Sequence, residues 1–231
     1  MAKPTLGPDD YVAEYLFDWS TPPAGELLDH VADAVVRTVG PEAFEPLGRV
    51  FDDTVGRPRE DDEDFALLQA IRSDWVICEA SISGVPGDSW AWRAARGEIT
   101  GAGGPDALAV AASVTGLFEI WPGRITWVRD RLRGLCLPLV DPPEGIEPAR
   151  QASALWELRL LPAHDGQDGV RLGRRPLEYP LSLLTLLEAS HGDRWTDRGL
   201  DLMQLRKARL AWVRARRIGP FERHLRWQGA I

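Results

Sequence analysis

Apolar residues recur along this chain in three successive rhythms. Between residues 9 and 72 the rhythm is helical. In "DYVAEYLFDW", Tyr11, Val12, Tyr15, Leu16 and Trp19 stand at i, i+1, i+4, i+5 and i+8, which predicts one face of a helix. "STPP" ends that helix and opens the next, because proline is tolerated in a first turn and not inside. "GELLDHVADAVVRTVG" repeats the pattern at Leu27, Leu28, Val31, Ala34 and Val35, with Gly40 as its stop. Phe44, Leu47 and Phe51 predict a third helix. The acidic run Arg59–Phe65, "REDDEDF", reads as a loop and helix start ahead of "FALLQAIRSDW", since negative charge suits a helix N-terminus.

Residues 80–106 are rich in Gly and Pro and hold little helical period, so they read as a linker or inserted loop, with "SWAWRA" a short strand or turn. From 107 to 179 the rhythm becomes that of strands. "AVAASVTGLFEIW", "RITWVRD", "LCLPLV", "SALWELRLLPA" and "GVRLGRRPLEY" predict about five strands, separated by "RLRG", the Pro-rich "DPPEGIEP" and "HDGQDG". Beyond Pro180 the helical beat returns in "PLSLLTLLEASHG" and "DRGLDLMQLRKARLAWVRARRIGP". The expectation is an α+β chain. A helical region (1–79) is followed by the linker or insertion (80–106), a small antiparallel β-barrel-like module (107–179) and a basic C-terminal helical segment (180–231).

"DYVAEYLFDW", "GLFEIWPGRITWVRDRLRG" and "ALWELRLLP" together resemble a group of bacterial proteins related to the SEC-C motif proteins. In these a helical region precedes a small β module with an "LFEV…LRDLLTG" pattern. The likeness covers about half of the chain in two patches and rests on packing residues. The clustered cysteines of the zinc segment have no counterpart here, the Trp121–Trp127 loop is tighter, and residues 80–106 look added. The resemblance therefore implies an architecture, and it carries over no catalytic residue.

Charge divides the chain. Residues 1–100 carry a net −12, residues 101–180 a net −1 and residues 181–231 a net +5, for −8 overall. An acidic front and a basic tail can meet each other or recruit different partners. No apolar run approaches the roughly 18 residues of a membrane span. Cys78 and Cys136 lack the paired spacing of a zinc or redox site, and no leader is visible in "MAKPTLGPDD". Reduced thiols and a cytoplasmic location are expected, with no metal and no cofactor.

Catalytic patterns are sought in turn. His30, His164, His191 and His224 are scattered, and "HDGQDG" reads as a hairpin turn. Ser89 in "GDSWAW" lacks the strand and glycines of a nucleophile elbow. Both cysteines lie in apolar runs, where desolvation makes thiols inert. Lysine is confined to Lys3 and Lys207, which leaves almost no room for Schiff-base chemistry, and "GEITGAGGPD" has no phosphate-loop pattern. A site assembled from distant acids would draw on Asp18, Glu119 or Asp130. "SLLTLLEA" holds an LxxLL pattern at Leu183, Leu186 and Leu187, but it is apolar nearly all round and reads as core.

The basic features say more. Eight basic residues and one acid, Glu222, lie between Arg206 and Arg226. Arg206, Arg209, Trp212, Arg214, Arg216, Arg217 and Trp227 form a candidate interaction tail. Leu202, Leu205, Arg209, Val213 and Arg216 share one helical stripe, so arginine stems would cover apolar surface while their heads meet acids of this chain or of an acidic partner. A second candidate is the β edge formed by Trp121, Arg124, Trp127 and Arg129. In "RITWVRD" alternation puts Ile125, Trp127 and Arg129 on one face and Arg124, Thr126, Val128 and Asp130 on the other. Trp and Arg on an edge suit an interface, and charge on an edge also protects against aggregation. The favoured function is a non-enzymatic adaptor or regulatory subunit that contacts another protein. The alternatives are a nucleic-acid accessory protein using the tail and β module, and an enzyme with a carboxylate site.

Overall fold

The computed structural model describes residues 14–17, 24–121, 125–140, 145–149, 155–163, 167–189 and 201–225. In chain order these hold β1 (Glu14–Phe17), α1 (Gly25–Val39), α2 (Glu45–Val55), α3 (Phe65–Cys78), α4 (Trp90–Ala95) and α5 (Gly104–Ala111). There follow β2 (Val114–Trp121), β3 (Trp127–Asp130), β4 (Cys136–Pro138), β5 (Gly145–Ala149), β6 (Leu155–Pro162), β7 (Val170–Leu172) and β8 (Leu177–Tyr179). Two helices, α6 (Leu181–Ala189) and α7 (Leu202–Arg214), complete the fold. The chain is α+β.

The sheet is antiparallel and runs β4-β3-β2-β6-β7, with β8 on the same edge of β6 as β7 but nearer that strand's start. It curls far enough for Leu139 to bridge Val170. One bridge is not a ladder, so the sheet stays open where a barrel-like module was expected. β1 and β5 form a separate two-stranded pair.

Alternation sorts the strands' side chains between two faces. Phe118, Ile120, Val128, Leu158, Leu160, Val170 and Leu172 fill the inside of the curl. On the outer face, Leu117, Leu155, Leu177 and Tyr179 pack against α2, α3, α6 and α7 through Phe51, Leu68, Leu183, Leu205 and Phe221. A second helical layer joins α1, α4 and α5 through Val31, Ala34, Val35, Ala91, Ala94, Ala107 and Val110, and touches the sheet at Leu161. Leu183 and Leu187 of the LxxLL pattern are buried, as expected of core.

Three expectations need correction. Residues 14–17 form a strand and not part of a helix, and "DPPEGIEP" is partly β5; Tyr11, Val12 and Trp19 lie outside the described residues. The ladder between β1 and β5 satisfies the backbone of residues 14–17 instead. Residues 80–106 are no linker. They hold α4 and the start of α5, whose small side chains let these helices approach α1 closely. Both helices are too short to show a period, and α4 is signalled only by its cap, Ser89, which accepts from the Trp92 N–H at 3.4 Å. Finally, "GVRLGRRPLEY" is two strands, β7 and β8, split around Gly173.

Candidate functional site

The central strand β6 turns four alternate residues, Leu155, Glu157, Arg159 and Leu161, toward the helices. The two leucines enter the two helical cores, and the two charges lie between them. Glu157 accepts from Arg206 of α7 through Nε at 2.9 Å and Nη2 at 2.7 Å, and from the Tyr179 hydroxyl at 3.1 Å. Both charged side chains are 2% exposed. Burial works against the Arg206 charge, but the adjacent carboxylate outweighs it and holds the guanidinium protonated. Burial and the same carboxylate push the Tyr179 phenol well above its ordinary range.

One turn of strand away, Arg159 reaches Glu79, the Ser113 hydroxyl at 2.9 Å and Asp74 at 3.5 Å. Arg174 caps Asp74 from the other side with two bonds of 3.0 Å and extends to Asp29 of α1 at 2.6 Å. The cavity between these pairs is about 10 Å³, room for one water. A site this small and this fully paired ties α1, α3 and α7 to the sheet. It leaves no room for a substrate.

The basic tail uses its charges within the chain. Arg209 donates to Asp64 at 2.7 Å and to the Glu178 carbonyl at 2.6 Å. Arg214 grips Asp62 at 2.8 and 2.9 Å and also reaches the Arg57 carbonyl at 2.7 Å. Arg217 meets both oxygens of Glu63 at 2.8 and 2.9 Å. The Arg214 bond holds the Asp62 carboxyl below its ordinary range. Three successive acids thus seat three arginines. Asp64 stands at the N-cap of α3 but gives its carboxylate to Arg209. Trp212 packs edge-on against Phe221, lies under Arg217 and donates to the Gly219 carbonyl at 3.1 Å. Arg216 makes no ion pair among the described residues, and Trp227 lies outside them.

The expected β edge is not an edge. β3 lies inside the sheet, between β2 and β4, because "LCLPL" returns alongside it. Its two faces divide as alternation predicts. Thr126, Val128 and Asp130 are buried, whereas Ile125 is 56% exposed and Trp127 and Arg129 are half-buried. Trp121 stands opposite Trp127, which stands opposite Pro138, so one row crosses three strands. In the next row Glu119, Arg129 and Cys136 align, with the Arg129 guanidinium 5.4 Å from the centre of the Trp121 ring. Arg124 lies outside the described residues.

The carboxylates considered for catalysis do not converge. Glu119 is buried on the helix-bearing face of the sheet and accepts from Arg131 at 3.2 Å. Asp130 is on the opposite face, where it accepts from the Leu132 and Arg133 N–H groups at 2.8 and 3.1 Å and shapes the "RLRG" turn. Asp18 lies outside the described residues. Ser89 is a helix cap, and desolvation pushes the Cys78 thiol up to about 11. Among the described residues no cluster of His, Cys, Asp or Glu could hold a metal, and no helix is long and apolar enough to cross a membrane.

No family model, curated protein or solved structure matches the chain.

Proposed function

We propose that this chain is a non-enzymatic contact module, an adaptor or regulatory subunit, and that its partner protein packs on the Trp121–Trp127 face. The observation behind this reading is the row Trp121–Trp127–Pro138, half-buried in the chain alone, with Arg129 stacked on the first ring and Ile125 open beside it. Flat aromatic area next to an arginine is the composition that concentrates binding energy at protein interfaces, because both give up little side-chain freedom on contact. The helices cover this face of the sheet at Leu117 and Leu155. The alternative use of the arginine tail on nucleic acid loses support, since four of its arginines already hold acids of the chain.

The test is affinity purification from cells that express the protein natively, comparing wild type with I125E/W127A. A partner recovered at one-to-one stoichiometry should fall at least about tenfold in the variant, as befits an aromatic hot spot. The same partner retained at full yield by a folded variant would remove this surface from consideration.

A further inference from the structure

The arginines at the end of α7 and the acids of the loop before α3 form a clasp between two elements far apart in sequence. Its inner pair, Arg209–Asp64, is shielded, with side chains 6% and 18% exposed. Its outer pair, Arg217–Glu63, is open at 50% and 57%. The middle pair, Arg214–Asp62, is partly shielded, with side chains 28% and 3% exposed, whereas Arg59, Glu60, Asp61 and Glu63 are exposed, so the outer part of the loop is held mainly by charge. Exposed ion pairs are weak because water and salt screen them.

The clasp's own Asp62, Glu63, Arg214 and Arg217 line a cleft of about 640 Å³ together with Arg59, Asp61 and Arg216. Arg59 and Arg216 make no ion pair among the described residues. The backbone presents this array in a fixed form. Arg216 and Arg217 both take left-handed conformations, with φ of 54° and 56°. Their N–H groups return to the Val213 and Trp212 carbonyls at 2.8 and 2.9 Å, the closing bonds of a helix C-terminus that usually carries glycine. Arg217 is further held over the Trp212 ring at 5.7 Å.

We infer that this arginine array is a binding surface for an acidic peptide segment of another protein, and that loop 59–64 is its resident intramolecular competitor. The resident loop shows that the array accepts peptide carboxylates. Arg214 meets the Asp62 carboxylate through two nitrogens, and Arg217 contacts both oxygens of Glu63. The two unpaired arginines let an incoming acidic segment land in the cleft before the loop leaves, so exchange proceeds stepwise. Arg209–Asp64 then acts as the hinge at which the loop stays tethered. This surface is separate from the Trp121–Trp127 face, and neither proposal depends on the other.

The probe is a fluorescent peptide with the chain's own loop sequence, "GRPREDDEDF". Wild type should bind it weakly, since its loop occupies the site at high effective concentration. D62N/E63Q, which leaves Asp64 on Arg209, should bind it at least about tenfold more tightly, and adding R214E/R217E should abolish the gain. An unchanged affinity in D62N/E63Q would overturn the inference. A decathymidylate that gains as much as the peptide would overturn the assignment to peptide and point to nucleic acid. Hydrogen exchange on wild type gives a readout free of substitutions. Saturating peptide should speed exchange at residues 59–63 and slow it at 214–217, and no change at either segment would also overturn the inference.

Discussion

Glu157 occupies a position at which a solvated carboxylate would be ruinous. It sits on an inner strand with its side chain 2% exposed, and is stable only because Arg206 and Tyr179 complete its bonds. Removing one partner of such a pair strands the other charge, whereas removing an exposed partner costs little. R206M should therefore lower unfolding free energy by about 3–5 kcal/mol in urea titration. R217M, which cuts an exposed pair on the same tail, should cost under about 1 kcal/mol. Equal losses would mean that the two pairs share the same solvation. The Glu157 and Arg159 signal is present in "LWELRLLP", where alternation puts two charges between two leucines on one face. Their partners on α3 and α7 are not, because nothing local marks Asp74 or Arg206 as the side chains that return to β6.

Among the elements, α2 and α3 are joined by an ion pair that passes over Gly48. Gly48 leaves the space in which the Arg72 guanidinium lies, and Arg72 crosses it to grip Asp52 at 2.7 and 3.0 Å. A methyl group there collides with the guanidinium, so G48A should break the bidentate bond even though alanine favours a helix. The expected loss is about 1–2 kcal/mol by thermal unfolding, against the gain of up to about 1 kcal/mol that propensity alone would give. The long helices were readable because their burial is periodic: Leu28, Val31, Ala34 and Val35 are the buried face of α1, as their spacing predicts. The short ones were not. Alanines in α4 and α5 bury area by letting backbones approach, and that leaves no apolar rhythm in the sequence.

At the scale of the whole molecule, the sheet's outer face couples its helices to pH. Tyr179 is buried as a neutral phenol whose ionisation is pushed well upward, while in the unfolded chain it ionises near its ordinary value of 10. Above that pH the unfolded state releases a proton that the folded state keeps, so stability must fall as pH rises. Urea midpoints should hold up to about pH 9 and decline beyond about pH 10. Y179F should flatten that alkaline limb while losing stability at neutral pH through the missing bond to Glu157. An alkaline limb unaltered in Y179F would assign it to another group.

The sequence by itself determined the α+β class, the positions of the long helices, the strands around the "RLRG" turn and the face that each of residues 125–130 presents. These follow from short-range periodicity and turn chemistry, which act over a few residues. It also placed acids at the front and arginines at the tail. Only the tertiary structure decided that the two meet, that β3 lies inside the sheet, and that β1 pairs with β5. Those outcomes depend on which distant backbone or carboxylate satisfies a group, and solvation energy at contacts far apart in the chain leaves no local mark. The aromatic row shows the division well: alternation set its face, and strand order made it a broad surface where the chain alone suggested an edge.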